Sequence, residues 1–141
     1  MRSFRQWGNS MTAIDTNILV RYFIRDDEFQ FIRVRTFFFK MLDQREILFI
    51  SDAVLCELIW VLSRGYRHTK TDIVQTLELL SKSAGMSFQN TTGLRNAITA
   101  YKSGRGDFAD YLIRERGVEN GCQMVVTFDK ALLNEPGFIE P

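Results

Sequence analysis

The sequence predicts an α/β fold, namely a three-layer α/β/α domain with a short, mostly parallel twisted sheet of four to five strands. Two observations support this prediction. Short continuous apolar runs alternate along the chain with longer amphipathic segments, as expected for buried parallel strands separated by helices. The 141 residues match the size of one domain, and a composition of 45% hydrophobic and 25% charged residues is ordinary for a globular protein.

The predicted strands are apolar runs that lack the alternation of a half-exposed strand, which favours burial on both faces. Each run is short enough to be a strand rather than a buried helix. In chain order, the runs are TAID at 12–15, ILFIS at 47–51, MSF at 86–88, QMVVTF at 123–128 and, as an edge candidate, GFIE at 137–140.

The segments between these runs show the apolar spacing of amphipathic helices. The second of them carries three consecutive phenylalanines at 37–39, and consecutive residues of a helix cannot all face the core. We therefore expect a partner to cover at least one of these rings. The predicted helices span 17–25, 28–44, 52–66, 71–82, 92–102 and 107–118.

Residues 1–10 are predicted to form an N-terminal extension ahead of a domain that spans 11–141. The segment MRSFRQWGNS lacks the apolar core of a secretory signal, and no apolar run approaches the roughly 20 residues of a membrane helix. We therefore expect a cytoplasmic protein without a membrane partner.

The composition excludes two further classes of protein. With two cysteines and one histidine, the chain has too few ligands for a Cys/His zinc site. Its net charge of +1 is far from the strong positive charge of a general nucleic-acid coat protein.

Several carboxylates occupy positions that a parallel sheet would bring to one edge. Asp15 and Asp129 directly follow predicted strands, where helix capping or a turn is the alternative role. Asp107 fits the N-cap of the sixth predicted helix. Asp110, three residues later, lies in the first turn, where a backward capping contact is the alternative role.

Glu57 stands in the segment AVLCELIWVL, in which all of the remaining residues are apolar. It shares a helix face with Val54 and Val61, so we expect this carboxylate on a buried face. An ionised carboxylate there costs on the order of several kcal/mol unless it is paired or metal-bound. No basic residue lies one turn away, which leaves a metal or a distant arginine as its partner.

Carboxylates that share one crevice repel each other, and a hard divalent cation removes that repulsion. Mg²⁺ and Mn²⁺ prefer carboxylate and water oxygens, which suits a chain this poor in cysteine and histidine. The chemistry expected of such a site is two-metal phosphodiester hydrolysis. The predicted catalytic and metal-binding residues are Asp15, Glu57, Asp110 and Asp129.

Four segments resemble, in order and spacing, the acidic motifs of PIN-domain ribonucleases, and more closely those of the VapC-type toxins of type II toxin–antitoxin systems. These segments are AIDTNILVRYF at 13–23, VLCELIWVL at 54–62, GRGDFADYLI at 104–113 and VVTFDKAL at 125–132. The resemblance implies a PIN-like fold and covers roughly residues 11–140.

The resemblance assigns roles position by position. Asp15, Glu57 and Asp110 match the metal-binding acidic core, and Asp129 matches a fourth, more variable acid. A further acid found after this motif in some members is absent, so we expect the second metal to bind weakly or only together with RNA. Ala131 and Leu132 stand at that place, and Asp107, Asn17 and Thr127 match accessory positions.

The resemblance also implies Mg²⁺-dependent (or Mn²⁺-dependent) endonucleolytic cleavage of tRNA, rRNA or mRNA, giving 5′-phosphate and 3′-hydroxyl ends. It implies a homodimer and a cognate VapB-like antitoxin, whose C-terminal segment lies in a groove near the first helices and the acids. Basic residues near the acids are candidates for RNA phosphate contacts, whereas no interleaving of aromatic and basic residues predicts a base-reading surface. These candidates are Arg21, Arg25 and Lys70.

Two other functions compete with this interpretation. The first is a phosphohydrolase of the haloacid dehalogenase class with Asp15 as its nucleophile. That class needs a second aspartate two residues later, and Asn17 stands there. The second is a non-catalytic RNA-binding PIN module, against which the presence of all four acids argues.

Overall fold

The computed structural model describes residues 10–141, which form two compact units. The first unit comprises residues 10–68 and 82–89, and the second comprises residues 69–81 and 90–141. The predicted N-terminal extension lies outside the described residues, apart from Ser10.

The first unit is built on a three-stranded parallel sheet of β1 (Met11–Ala13), β2 (Ile47–Ile50) and β3 (Met86–Phe88), in the order β1-β2-β3. Its register pairs Thr12 with Leu48 and Phe49 with Ser87. Three helices connect the strands, and the third continues into a π-helical segment. These are α1 (Thr16–Phe23), α2 (Glu28–Asp43), α3 (Asp52–Trp60) and the π-helical Val61–Gly65.

Local capping residues start the helices of the first unit where the sequence places them. The Asp27 carboxylate accepts from the Gln30 N–H at 3.0 Å and starts α2, and the Ser51 hydroxyl accepts from the Val54 N–H at 3.2 Å and starts α3. Each cap satisfies a backbone donor that has no partner inside its own helix. The helices therefore begin directly after the strand or loop that precedes them.

The second unit contains three helices and a small parallel sheet, whose register pairs Val125 with Phe138. Tyr111 and Phe108 are its largest fully buried side chains, and both project from the first turn of its last helix. The elements are α4 (Lys70–Ser81), α5 (Thr91–Ser103), α6 (Phe108–Glu119), β4 (Val125–Val126) and β5 (Phe138–Ile139).

The α/β class, the parallel pairing and the predicted number of strands are confirmed within residues 10–141. The five strands form one three-stranded and one two-stranded sheet. The run at 123–128 yields only the two-residue strand β4, because its partner β5 offers only two paired residues. The helix predicted at 52–66 is interrupted by the π-helical turn after Trp60.

The three consecutive phenylalanines of α2 differ in burial, as helical geometry requires. Phe38 is buried, Phe37 is half-buried and Phe39 leaves 63% of its surface exposed. Coverage of Phe39 by a partner stays a prediction. None of the helices in residues 10–141 has the length and apolar character needed to cross a membrane.

Candidate functional site

Asp15 is the N-cap of α1, and one residue separates it from the end of β1. Its Oδ1 accepts a hydrogen bond from the Thr16 N–H at 2.7 Å, while the residue as a whole stays exposed. The capping role considered for Asp15 is therefore present. Because a cap uses only part of a carboxylate's acceptor capacity, it leaves this group able to bind a further ligand.

A groove of about 640 Å³ runs alongside Asp15 in the first unit. Asn17 and Arg21 of α1 line one side of it, and Arg33 and Phe37 of α2 line the other. The groove thus combines a carboxylate, two guanidinium groups and an aromatic ring.

Glu57 does not lie on a buried face, so that expectation was wrong. The carboxylate is exposed, and its face neighbours Val54 and Val61 are only half-buried. The helix carries more apolar residues than its buried side requires, since Trp60 is also 62% exposed. An exposed carboxylate keeps most of its hydration, so Glu57 has no large desolvation penalty that a metal or an arginine would have to offset. Its assignment as a metal ligand stays a prediction.

Three of the predicted acids come together in the second unit. Asp107 is the N-cap of α6, and its N–H donates to Asp110 Oδ2 at 2.8 Å, which is the backward half of a capping box. Partial burial raises the pKa of Asp110. The negative charges of Asp107, Asp129 and Glu135 add to that rise, whereas the Asp107 N–H opposes it.

Thr127 shapes the loop that carries Asp129. The Asp129 N–H donates to Thr127 Oγ1 at 3.0 Å, and Asp129 Oδ1 accepts from the Ala131 N–H at 2.9 Å. These two contacts hold the acid in a tight turn directly after β4. The accessory position predicted for Thr127 therefore coincides with a contact that orients Asp129.

Glu135 is a residue that sequence reasoning missed. Both of its carboxylate oxygens accept from the Tyr111 hydroxyl, at 2.6 and 2.7 Å, and Oε2 also accepts from the Arg105 N–H at 3.1 Å. The family resemblance places a further acid nearer to Asp129, where Ala131 and Leu132 stand. The Glu-Pro-Gly turn at 135–137 was the available signal that the chain folds back here.

The start of α6 is packed so closely that two glycines are required. A Cβ on Gly104 would collide with the hydroxyl of Tyr111 and with Glu135 Oε1. A Cβ on Gly106 would collide with the Leu132 side chain and lie 3.2 Å from Asp110 Oδ2. The glycines of the GRGD segment thus allow the Tyr111 hydroxyl to reach the turn that leads to Asp107.

Each of the predicted RNA-binding cations has a partner within the chain. Arg21 pairs with Asp26 at 2.8 Å, and Arg25 makes a two-pronged contact with Glu28. Lys70 Nζ donates to the Gly104 carbonyl at 2.7 Å and lies over the Tyr101 ring. RNA binding by these three residues stays a prediction.

Arginine side chains lie near phenylalanine rings on α2 and just before it, and the expectation that the chain lacks a base-reading surface stays a prediction. The Arg25 guanidinium lies 4.2 Å from the centre of the Phe31 ring, and that of Arg35 lies 5.7 Å from it. Arg33 lies 5.9 Å from the centre of the exposed Phe29 ring. Arg33 and Arg35 each follow a phenylalanine by four residues, a helical spacing that the sequence EFQFIRVR already contains, whereas Arg25 precedes α2.

The donor chemistry of these acids suits a hard divalent cation. Carboxylate oxygens are the ligands that Mg²⁺ prefers, and a cation would relieve the repulsion from neighbouring acids that, after burial, raises the pKa of Asp110. Among the residues from 10 to 141, no three His, Cys, Asp or Glu side chains stand in a geometry that could hold a metal ion. The acids thus fit a divalent cation by their ligand type and their charge.

Comparison with known proteins agrees with this architecture. The profile of the PIN domain family matches residues 12–137, and the chain therefore belongs to that family. It is also similar to the VapC ribonuclease of Aquifex aeolicus (strain VF5), with 27% identity over 120 residues. That match covers 85% of this chain and 88% of the relative. The predicted fold class and family are confirmed, and the haloacid dehalogenase alternative loses its support.

Proposed function

We propose that this protein is a VapC-type toxin, namely a Mg²⁺-dependent or Mn²⁺-dependent endoribonuclease. The observation that carries the proposal is the meeting of Asp107, Asp110 and Asp129 in one unit of a member of the PIN domain family, where burial first and the neighbouring negative charges second raise the pKa of Asp110. The similarity to a VapC ribonuclease over most of both chains supports RNA as the substrate class.

In this proposal Asp15, Glu57, Asp110 and Asp129 act together as the metal-binding acids. A bound divalent cation supplies Lewis acidity toward the scissile phosphate and activates the attacking water. Thr127 keeps Asp129 in its turn through the hydrogen bond at 3.0 Å. The products are a 5′-phosphate and a 3′-hydroxyl.

Asp107 and Asn17 have supporting roles in the same proposal. The backbone of Asp107 holds the Asp110 carboxylate through the 2.8 Å contact, which fixes one oxygen and leaves the other for a ligand. Asn17 lines the groove beside Asp15, where its amide can donate to a substrate phosphate oxygen.

The test is RNA cleavage by the purified full chain with Mg²⁺, Mn²⁺ or a chelator. We expect wild-type cleavage that the chelator abolishes, and loss of at least about a hundredfold in kcat for Asp15→Asn and Asp110→Asn. Asp43→Asn on α2 is the matched control, because that acid is exposed and distant in sequence from all four motifs. Cleavage that survives either site substitution, or that ignores the chelator, would refute the proposal.

We further propose that a VapB-like antitoxin neutralises the protein by laying a segment into the groove beside Asp15. The groove offers the Phe37 ring to an apolar side chain, and the Asp15 carboxylate to an arginine or lysine. Phe37→Ala should weaken inhibition by the antitoxin about tenfold, whereas Lys40→Ala on the same helix should not, because Lys40 does not line the groove. Equal inhibition of both variants would contradict this docking site.

We also propose a homodimer in the cytoplasm, as the resemblance to VapC-type toxins implies. The exposed Phe29 and Phe39 rings of α2 support an association surface, because large apolar side chains exposed on one helix can mark a protein contact. Sedimentation equilibrium of the full chain measures this directly. A monomer at concentrations well above those of the cell would exclude the dimer.

A further inference from the structure

A cleft of about 360 Å³ in the second unit has no role in the mechanism described above. It lies between the C-terminal end of α5 and the loop that follows β4. Its lining residues include Ser103, Arg105, Lys130, Asn134 and Glu135. Apart from Glu135, the side chains named are cations or hydrogen-bond donors, which is the chemistry that holds a phosphate.

The two cations of the cleft are available to a ligand. Arg105 and Lys130 are exposed, and within the described chain neither side chain has a hydrogen-bond or ion-pair partner. The arginines and lysines nearest to them differ in this respect. Lys70 donates to the Gly104 carbonyl, Lys102 pairs with Glu78 at 3.5 Å and Arg114 donates to the Pro136 carbonyl.

The one carboxylate among the lining residues of the cleft already accepts hydrogen bonds from within the chain. Both oxygens of Glu135 accept from the Tyr111 hydroxyl, and one also accepts from the Arg105 backbone N–H. These bonds fix the wall of the cleft and partly neutralise its single negative charge. With two free cations against one engaged anion, the cleft favours an anionic ligand.

The cleft adjoins the acids in the sequence and in space. Arg105 stands two residues before Asp107, and Lys130 directly follows Asp129. The Tyr111 hydroxyl contacts Glu135 of the cleft wall at 2.6 Å and the Gly106 N–H at 3.0 Å. Asp107, the next residue along the chain, donates its N–H to Asp110 Oδ2 at 2.8 Å, so the cleft wall and the acids are neighbours. A polyanion bound at the acids would therefore pass next to the two cations.

We propose that this cleft is an RNA-binding subsite, in which Arg105 and Lys130 hold a backbone phosphate that neighbours the scissile one. The inference rests on the proposed ribonuclease function and adds to it the residues that position the strand. The cations bind phosphate without reading bases, so they raise affinity for every RNA sequence alike.

The test is the salt dependence of RNA binding, measured without catalysis. Anisotropy of a fluorescein-labelled single-stranded RNA is titrated with full-length Asp15→Asn protein in EDTA, across a range of KCl concentrations. Arg105→Gln and Lys130→Gln should each weaken binding about three- to tenfold and lower the slope of log K against log[salt] by about 0.7. In the active background each should raise KM and leave kcat nearly unchanged.

Arg95→Gln and Lys82→Gln are the matched controls, because both residues are exposed cations outside the cleft. If the cleft variants behave like these controls, or if they lose kcat without losing RNA affinity, the subsite is refuted. Absence of salt-dependent RNA binding in the parent protein also refutes it. A separate result would refute the ribonuclease proposal itself. That result is the absence of chelator-sensitive RNA cleavage by the wild type.

Discussion

The Tyr111 hydroxyl and the Glu135 carboxylate form a buried bridge between α6 and the C-terminal segment, with oxygen–oxygen distances of 2.6 and 2.7 Å. The same hydroxyl accepts from the Gly106 N–H at 3.0 Å. Burial and the bond to Glu135 raise the pKa of Tyr111 to about 12, so the hydroxyl remains a donor at physiological pH. One side chain thus ties the turn before Asp107 to the loop after Asp129.

Tyr111→Phe removes this bridge and leaves the Gly106 N–H and the Glu135 carboxylate without their buried partner. We expect a loss of about 1–3 kcal/mol in the free energy of unfolding, because unpaired buried polar groups cost that much. Urea denaturation measures it. Tyr66→Phe is the control, since its hydroxyl makes only one exposed hydrogen bond, to Asp26. Equal stability losses in the two variants would show that the bridge contributes little.

Gly104→Ala places a methyl group against the Tyr111 hydroxyl and Glu135 Oε1. The strain of such overpacking is typically about 1–3 kcal/mol, and here it also displaces the turn before Asp107. We expect a lower Tm and a reduced kcat for RNA cleavage. Gly65→Ala is the control, because its added Cβ would meet only Val61 Cγ1, at 3.9 Å. Full activity and an unchanged Tm in Gly104→Ala would contradict the close packing described above.

Asp110→Asn should stabilise the metal-free protein in neutral and alkaline solution. Burial first, and then the neighbouring negative charges, raise the pKa of Asp110, so its ionised form destabilises the native state. Because a raised carboxyl pKa costs stability from the unfolded-state pKa upward, and costs it in full above the native-state pKa, the gain should shrink as the pH falls through these two pKa values and both side chains become neutral. Thermal unfolding in EDTA across this pH range measures the effect. A gain that grows toward acidic pH would have the wrong sign.

Mg²⁺ should raise the Tm of the wild type, because a ligand that binds only the native state stabilises it in proportion to the logarithm of its concentration. Asp110→Asn should gain much less from the same addition, since it lacks one proposed ligand. Asp43→Asn should respond like the wild type. An equal Mg²⁺ response in all three proteins would place the metal elsewhere.

The local features of this fold were predictable from the sequence because local chemistry causes them. Capping was the predicted role of Asp107 and the alternative role of Asp15; both occupy N-cap positions, and the helices follow the apolar spacing. The exposure of Glu57 was not predictable, because α3 has apolar residues on its exposed faces as well as on its buried one, as the exposed Trp60 shows. The contact of Glu135 with Tyr111 joins positions 24 residues apart, and no local pattern reports such a pairing.

The glycine at 104, the tyrosine at 111 and the glutamate at 135 constrain one another's evolution. A larger residue at 104 would meet both the phenol and the carboxylate, so each of these two side chains keeps a glycine there. Related nucleases should therefore exchange these three positions together more often than one at a time.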